Sequence, residues 1–542
     1  MRHLRFLAVF CVLHTCAAAG PASAASATKP GFDLFEFAVE GNTVLPSIEI
    51  ERAVYPWLGP GKTLADIEKA RAALEAVYQD SGYLSVSVVV PEQSVADGVV
   101  RLQVVEGQVE RLKVSGNRYS SRSELRAQVP ELAPGQVPYF PAMQAELAQA
   151  GRSPDRRVTP LLRPGRRPGT MEVELAVDDD LALHGNLEVN NRQSPDTTKQ
   201  RLEASIRYDN LFQKQHSAGL NYVVSPEKTD EVNVLAGFYS APLGAGRSVS
   251  AFVQHSNSNI ATAIDSTAVG KGTTLGARYS WTLPNPVGVG NFFHSLSLGM
   301  DYKDLLNTQN FSNTGDEQRP LRYTPLMAQY TASHFGESGE FTGSLGLAVN
   351  LNLTARRVAC QVSGVVVDRD QFECSRPGDP SVPGSNARPG FSVVRGDLGY
   401  SRRLLGWEFM TKLDFQAGAQ ALVPGEQIQA GGMDSVRGYL EGEAAGDAGW
   451  RLRTEVKTPA LLDLGGSSLR AVGFVDGAVL WVNNPTLGEI REFSLAGAGV
   501  GLRLKGAKGG PLLAFDLTQA LKAGRHTVRG NQRLHMRMGY EF

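Results

Sequence analysis

The last nine residues of the chain constrain its fold more than any other segment. From Leu534 to Phe542 apolar and polar side chains alternate without a break, and the final side chain is aromatic. A period of two is typical of a β-strand with one apolar and one polar face. Because a terminal strand frays unless it is paired, Tyr540 and Phe542 predict a closing strand with aromatic side chains at a lipid boundary. A soluble β-sandwich could supply the same pattern.

The same alternation recurs throughout residues 181–542. Leu202–Tyr208 and Ala496–Leu504 are two examples, and Gly is abundant, with 58 residues in the chain. Strands near ten residues and long polar connections, which we expect at Asn307–Arg319 and Asp368–Pro389, favour a membrane barrel over a sandwich. At roughly 22 residues for each strand and its connection, this segment predicts a transmembrane antiparallel β-barrel of about 16 strands.

The amino terminus predicts export from the cytoplasm. Arg2 and Arg5 precede a mostly apolar stretch, and Ala22-Ser23-Ala24 offers a small-residue cleavage site, so residues 1–24 are interpreted as a signal peptide. We find no later run of 18 apolar residues, which argues against an α-helical membrane protein. The 54 basic and 55 acidic residues give no basic footprint for nucleic acid.

Two copies of one small unit lie between the signal peptide and the barrel. Residues 32–107 and 108–179 each show a strand, helical periodicity and two further strands, and each first strand ends in Gly-Asn, at Gly41-Asn42 and Gly116-Asn117. Such repetition indicates a tandem array. The acidic run Asp178–Asp180 is interpreted as a solvated linker to the barrel.

These units resemble POTRA domains, the polypeptide-transport-associated repeats that precede outer-membrane barrels. Phe37–Thr43 and Leu112–Asn117 match the opening strand and turn of that family. The resemblance implies a fold of α+β POTRA modules followed by the barrel, with the modules in the periplasm and the barrel in the bacterial outer membrane. An exposed sheet edge of a POTRA module can accept an extended peptide, although the modules could also serve as spacers.

A motif in the second half of the barrel narrows the family. Val436-Arg437-Gly438-Tyr439 resembles the motif that, in the POTRA-barrel superfamily, tips a long loop folded back into the lumen. In that family the Arg meets the Asp of a Phe-x-Asp motif on a later strand, and Phe474 and Asp476 match it. Arg suits the role because its planar fork can grip one carboxylate with two hydrogen bonds. A solvated Arg on a surface loop is the plainer alternative.

Two POTRA modules and about 16 strands are similar to the two-partner secretion transporters of the hemolysin secretion/activation family. The resemblance implies that an unfolded exoprotein docks on the modules and passes through the barrel to the cell surface. It also implies contact with the lipid bilayer and with the barrel-assembly machinery that inserts such proteins. Some members carry a plug helix at the amino terminus, but residues 25–34 leave no room for one, so we expect none.

Two rival functions share parts of this pattern. An insertase that assembles other barrels carries the same motif but usually more POTRA modules. A passive porin would need neither the modules nor the Val436–Tyr439 loop. The distinguishing observation is a large secreted β-helical protein encoded beside this chain, which favours export.

The cysteines and the remaining polar residues give no sign of catalysis. Cys360 and Cys374 lie in a loop-like stretch exposed to an oxidising compartment, which predicts a disulfide, with two free thiols as the alternative. The histidines show no metal-ligand spacing, and no phosphate-binding glycine motif is present. We therefore expect no metal, no cofactor and no enzymatic activity.

Overall fold

A computed structural model describes residues 31–542, except for 96, 196, 245, 259–270, 287–289, 312–314, 352, 354, 363–364 and 507–508. The predicted signal peptide, residues 1–24, lies outside the described residues, as does most of the segment in which no plug helix is expected. The chain divides into one compact unit that ends at Asp179 and a second, Asp180–Phe542. No described helix has the length and apolar character needed to cross a membrane.

The first unit contains two modules of the same topology. In each, the last strand is central in a three-stranded sheet. Val99–Glu106 pairs in parallel with Glu36–Glu40 and antiparallel with Val86–Val89, and Thr170–Asp179 pairs in parallel with Gln108–Ser115 and antiparallel with Arg156–Pro164. The elements of the unit are β1 Phe32–Leu34, β2 Glu36–Glu40, α1 Ser47–Val54, β3 Gly59–Lys62, α2 Leu64–Asp80, β4 Val86–Val89, β5 Val99–Glu106, β6 Gln108–Ser115, α3 Arg122–Ala127, α4 Phe140–Ala150, β7 Arg156–Pro164 and β8 Thr170–Asp179.

The repeated Gly-Asn turn has the same physical cause in both modules. Gly41 and Gly116 have φ values of +89° and +82°, and a Cβ at either position would overlap a backbone oxygen of the module's last strand. Glycine alone adopts this backbone without a steric penalty. The following Asn closes each turn, because Asn117 donates its side-chain amide to Ser120 O at 2.8 Å and Asn42 does the same to Leu45 O.

The last strand of each module ends in a carboxylate that caps this turn. Glu106 accepts from Thr43 N at 2.7 Å, and Asp179 accepts from Arg118 N and Ser120 N, each at 2.7 Å. Burial alone would raise the pKa of Asp179, but these backbone and side-chain donors outweigh it and lower the pKa. The interpretation of residues 178–180 as a solvated linker is therefore wrong for Asp179, which is a buried part of the second module.

The second unit is a closed antiparallel barrel. Its wall strands are β9 Leu183–Asn190, β10 Arg201–Leu211, β11 His216–Val224, β12 Asn233–Gly244, β13 Arg247–Ser256, β14 Lys271–Thr282, β15 Phe292–Phe311, β16 Gly315–Tyr323, β17 Pro325–Gly336, β18 Gly339–Asn350, β21 Phe391–Leu404, β22 Trp407–Gly418, β25 Ala448–Lys457, β26 Leu462–Leu464, β27 Ser467–Trp481, β28 Glu492–Lys505, β29 Pro511–Ala520 and β30 Gln532–Glu541. The connections contain β19 Arg357–Val362, β20 Val365–Asp370, α5 Gln371–Ser375, β23 Ile428–Ala430 and β24 Ala444–Gly446.

These segments make sixteen wall strands, as the sequence predicts. Strands β16 and β17 both pair with β15, and β25 and β26 both pair with β27, so each of these two pairs is one interrupted wall strand. Apolar side chains such as Val475 and Leu517 lie exposed on the outside. Because successive residues of a strand point to opposite faces, the charged side chains that alternate with these apolar ones line the interior.

The barrel closes through its last strand. β30 pairs with β9 from Arg537 opposite Asn190 to Glu541 opposite Asn186. One residue further, Phe542 N donates to Gly185 O and Gly185 N donates to Phe542 O, both at 3.0 Å. Tyr540 and Phe542 are both exposed on the outer surface, and the ring of Phe542 occupies the space where Gly185 lacks a side chain.

One predicted connection is instead a pair of strands. Residues 307–319 belong mostly to β15 and β16, which pair from Asn307 opposite Arg319 to Phe311 opposite Gly315. Polarity alone does not end a strand, because a two-stranded ladder satisfies the backbone wherever both faces meet water. The expectation of a loop at Asn307–Arg319 is therefore wrong.

The turn geometry of the second module gives a test of the repeat. Gly116→Ala places a Cβ on a left-handed backbone and into overlap with Val177 O. We therefore expect the variant to be destabilised by roughly 1–3 kcal/mol. Gly135→Ala is the matched control, because Gly135 has a φ of +91° but a Cβ added there would meet nothing within 4 Å. The full chain in detergent is equilibrated at a series of urea concentrations, and brief trypsin digestion at each concentration reports how much of the first unit is unfolded. The urea midpoint of this unfolding is compared between the two variants. Equal midpoints for the two variants would contradict the prediction.

The closing contact gives a second test. Deletion of Phe542 removes two backbone hydrogen bonds from the β9–β30 pairing, so we expect a several-fold smaller fraction of heat-modifiable, folded barrel in membranes. Leu487→Ala serves as the control because this apolar side chain is exposed in a connection. A deletion variant that folds as completely as the control would show that the terminal residue is dispensable.

Candidate functional site

A long segment between β22 and β25 runs through the interior of the barrel. We call residues 419–447 the lumen loop. Glu426 of the loop contacts Lys303 on β15, and Arg437 of the loop lies 3.6 Å from Asp516 on β29. Since β15 and β29 lie on opposite sides of the sixteen-stranded ring, a segment that contacts both must cross the lumen.

The tip of the lumen loop carries a fully buried arginine. Arg437 donates from Nε to Asp476 Oδ2 at 2.6 Å and from Nη2 to Asp476 Oδ1 at 2.8 Å, which is a bidentate grip. Its Nη1 donates to Glu455 Oε1 at 2.6 Å. The guanidinium also lies 3.5 Å from the centre of the Phe474 ring, within cation–π distance. Phe474 and Asp476 point the same way because they are two residues apart on one strand.

The carboxylates around Arg437 come from three wall strands. Glu455 lies on β25, Asp476 on β27 and Asp516 on β29, and all three side chains are almost fully buried. Charges this far from water are stable only when they are paired and hydrogen-bonded. The loop tip and the wall therefore complete each other electrostatically.

The other residues of the Val-Arg-Gly-Tyr motif fix the tip against the wall. Gly438 has a φ of +100°, and a Cβ there would come within 3.1–3.2 Å of the β29 backbone. Val436 and Tyr439 are buried in an apolar cluster with Leu480 and Leu495. The Tyr439 hydroxyl lies 2.9 Å from Ala496 O and 2.8 Å from Lys522 O, so it can donate to either backbone oxygen, which a Phe could not do.

The tip also borders an open, charged space. A cavity of about 440 Å³ is lined by side chains of the tip and of the wall strands, among them Arg437, Glu408, Arg453 and Arg470. We call Arg437 and its partners Glu455, Asp476 and Asp516 the Arg437 cluster, and three of its members, Arg437, Glu455 and Asp516, line this cavity.

The two roots of the lumen loop are held by ion pairs that sequence reasoning missed. Glu426 accepts from Lys303 Nζ at 2.6 Å, Tyr323 Oη at 2.7 Å and Arg395 Nη2 at 2.7 Å. Asp447 accepts from Arg376 Nη1 at 2.6 Å and also caps backbone groups. None of these residues belongs to a recognisable sequence motif. The only local signal was the charge of Lys303 and Arg395 on strands of the barrel.

The two cysteines lie away from the Arg437 cluster. Cys360 on β19 and Cys374 on α5 form a disulfide with a Cα–Cα distance of 5.9 Å. The neighbouring Phe372 is buried against Tyr323 and Phe391. The disulfide therefore ties a short hairpin to a helix that packs near the loop roots, while the expected absence of a metal or cofactor stays a prediction.

This fold and this loop define a class of protein: an outer-membrane barrel that carries a lumen loop and a POTRA region. The family model described as haemolysin secretion/activation protein ShlB/FhaC/HecB matches residues 169–504, and the model of the ShlB-type POTRA domain matches residues 32–107. The chain belongs to this haemolysin secretion/activation family. Its barrel lies in the outer membrane and its POTRA region in the periplasm.

Individual relatives agree with the family match. The outer membrane transporter CdiB of Dickeya dadantii (strain 3937) is 26% identical over 183 residues, which cover 34% of this chain and 32% of the relative. The chain thus spans about a third of the length of the curated relatives it matches. The structure of CdiB from Escherichia coli is similar in fold, with a TM-score of 0.64, 19% identity, and coverage of 96% of this chain and 93% of that one.

A solved structure of a different type shares the fold as well. BamA from Haemophilus ducreyi lacking POTRA domains 1–3 gives a TM-score of 0.53 at 15% identity and covers 94% of this chain and 100% of that chain. At this identity the likeness concerns the fold alone.

The Arg437 cluster leads to a test of the closed state. Asp476→Asn removes the charge that Arg437 grips with two hydrogen bonds and leaves a buried cation less well compensated. Loss of a buried partner is costly, so we expect spontaneous channel openings to become about ten-fold more frequent or more. Planar-bilayer recordings of the purified protein measure this frequency. Asp397→Asn is the control, since Asp397 bonds Ser344 on the wall, and equal frequencies would contradict the assignment.

Proposed function

We propose that the protein captures an unfolded exoprotein in the periplasm through its POTRA modules and secretes it through the barrel in two-partner secretion. The observation that carries this proposal is the buried Arg437 at the tip of a loop that fills the lumen. A barrel built only for passive diffusion has no use for a wide lumen closed by a removable segment. A conduit for an extended polypeptide needs both features.

The Arg437 cluster is proposed as the gate of this conduit. Its ion pairs link Arg437 to Asp476 and Glu455 in the docked arrangement, and the proposal adds a second arrangement in which the tip is displaced. A cargo can shift that equilibrium only by interacting more favourably with the displaced state. No nucleotide motif supplies energy, so the folding of the exoprotein outside the cell is the proposed drive, because it makes backward movement unfavourable.

Capture is proposed to occur on the free strand edges of the modules. The sheet orders leave β2 as an edge in the first module and β6 and β7 in the second, whereas Arg71 and Glu75 of α2 already bond the backbone of Val88 on the other edge strand, β4. Strand β7 also exposes Leu161 and Leu162. Unpaired backbone groups accept an extended chain whatever its sequence, and exposed apolar side chains add affinity for an unfolded segment.

Two further expectations belong to this proposal. The barrel-assembly machinery is expected to insert the protein into the bilayer, with the aromatic terminal strand of Tyr540 and Phe542 as the part it handles. We also infer that the chain acts as a conduit and not as an enzyme, because the carboxylates of the Arg437 cluster are occupied by buried ion pairs.

The alternative function is an insertase for other outer-membrane proteins, and the similarity in fold to BamA is the observation that favours it. The two functions differ in the effect of deleting the protein. Deletion of a secretion transporter removes one exoprotein from the surface, whereas deletion of an insertase depletes many barrels at once. A surface proteome of the deletion strain separates the two.

The proposed gate predicts the phenotype of one variant. Arg437→Ala leaves three buried carboxylates without their shared cation, so we expect export of the proposed exoprotein to fall at least ten-fold. The barrel should still insert, because its strand ladders are unchanged. Secretion into the medium and the heat-dependent gel shift measure the two effects.

The matched control for that experiment is Arg403→Ala. Arg403 lies on barrel strand β21, where its side chain is 82% exposed and its carboxylate partner is 3.7 Å away. Export should remain near the wild-type level in the control. Normal export by Arg437→Ala would overturn the proposed role of the cluster.

A further inference from the structure

The pairing that closes the barrel is short. Strands β9 and β30 form five opposed residue pairs, whereas β9 forms eight with β10, and β30 forms nine with β29. Above these five pairs Asn191 N still donates to Met536 O at 3.2 Å, and the side chain of Asn191 adds two contacts: its Nδ2 donates to Leu534 O at 2.7 Å and its Oδ1 accepts from Met536 N at 2.8 Å. We call this β9–β30 boundary the seam, and it has fewer backbone pairs than either adjoining boundary.

The tip of the lumen loop bonds to both sides of the seam. Gly438 N donates to Nε2 of His535, a buried residue of β30, at 3.1 Å. Three residues further along the loop, Glu441 N donates to Gln193 O at 2.9 Å, in the segment that continues β9. Adjacent parts of one short tip therefore hold the two strands that face each other across the seam.

Asp434 also contacts both sides of the seam, through ion pairs. Its carboxylate pairs with Arg192, beyond the end of β9, and with Arg537 of β30, whose Nη2 is 3.2 Å away. Arg537 also reaches across the seam to Glu188 of β9 at 3.1 Å. One loop carboxylate thus bridges a cation from each seam strand. None of these side chains belongs to the Arg437 cluster.

We propose that the lumen loop braces the seam from inside, with Asp434 as the positioning residue of this brace. The inference rests on the proposed gating function and extends it: the segment that obstructs the lumen also holds together the shortest pairing of the wall. When the tip leaves Asp476, the contacts at His535, Gln193, Arg192 and Arg537 are lost together. Gate opening therefore loosens the seam, and the barrel gains freedom to adjust its circumference around a passing chain.

The test measures channel opening and seam closure in the same molecule. Asp434→Asn keeps the size of the side chain and leaves the Arg437 ion pairs in place. Asp434 is about half exposed and such pairs are individually weak, so we expect a rise of about two- to five-fold in spontaneous openings in planar bilayers. The experiment uses the full chain, without exoprotein.

A seam lock makes the readout specific. Val189 and Met538 are opposed across the seam, and both side chains are exposed on the outer surface. Opposed Cα atoms in an antiparallel pair lie about 4.5–5.5 Å apart, within the range of a disulfide. In a V189C/M538C background, oxidation should abolish the extra openings of Asp434→Asn, and dithiothreitol should restore them.

The same bilayer recordings of opening frequency provide the control and the outcomes that would contradict the proposal. Asp397→Asn removes another carboxylate of the barrel wall, which accepts from Ser344 on strands remote from the seam, and should leave the frequency unchanged. Openings at wild-type frequency in Asp434→Asn, or extra openings that persist when the seam is locked, would overturn the brace. If Asp434→Asn lacks the heat-dependent gel shift, Arg192→Gln takes its place, with the same outcomes supporting or overturning the brace. Because no exoprotein is present, failure of the brace is distinguishable from failure of secretion in the Arg437→Ala experiment.

Discussion

One guanidinium at the tip of the lumen loop neutralises buried carboxylates of three wall strands. Arg437 meets carboxylates from β25, β27 and β29, and all of these groups are withdrawn from water. Without the arginine, Glu455, Asp476 and Asp516 would face one another in a confined space and repel. The wall of this barrel is therefore complete only when the loop is inside it. A loop with this property is a structural component of the barrel, and in the proposed function it is also an obstruction that has to be moved.

The roots and the tip of the lumen loop are both held by buried ion pairs. Glu426 and Asp447 at the roots are almost fully buried, as are Arg437 and Asp476 at the tip. Each end also borders a cavity, because Lys303 and Arg395 line one at the roots and Arg437 lines another at the tip. The short β23–β24 ladder between them keeps the two ends of the loop together.

Most of the architecture follows from local patterns that the sequence displays openly. Alternation and chain length predicted sixteen strands because a barrel strand has a nearly fixed length. The Gly-Asn turns marked the module repeat because Gly41 and Gly116 need a backbone that other residues avoid. The motif around Arg437 indicated its partner Asp476 only through resemblance to a family, since no periodicity relates the two residues.

What sequence reasoning missed depends on contacts between distant residues. The Lys303–Glu426 pair joins positions 123 residues apart, and nothing local to either residue announces it. Asp179 was assigned to a linker because an acidic run suggests solvation, whereas its true partners are backbone N–H groups about 60 residues earlier. Strand β3, Gly59–Lys62, contains two glycines and a proline, and it exists because β1 offers it an edge and not because of its own propensity.

The join between β9 and β30 fixes the order of events in the making of this protein. Asn191 bonds Leu534 across 343 positions of the chain, so the ends of the cylinder meet only after everything between them has been synthesised. Until that moment β9 and whichever strand was made last are both open edges, ready to pair with any neighbouring polypeptide. A chain released early by the ribosome would keep those edges permanently. The topology thus leaves the chain exposed to wrong pairing until its last strand is in place.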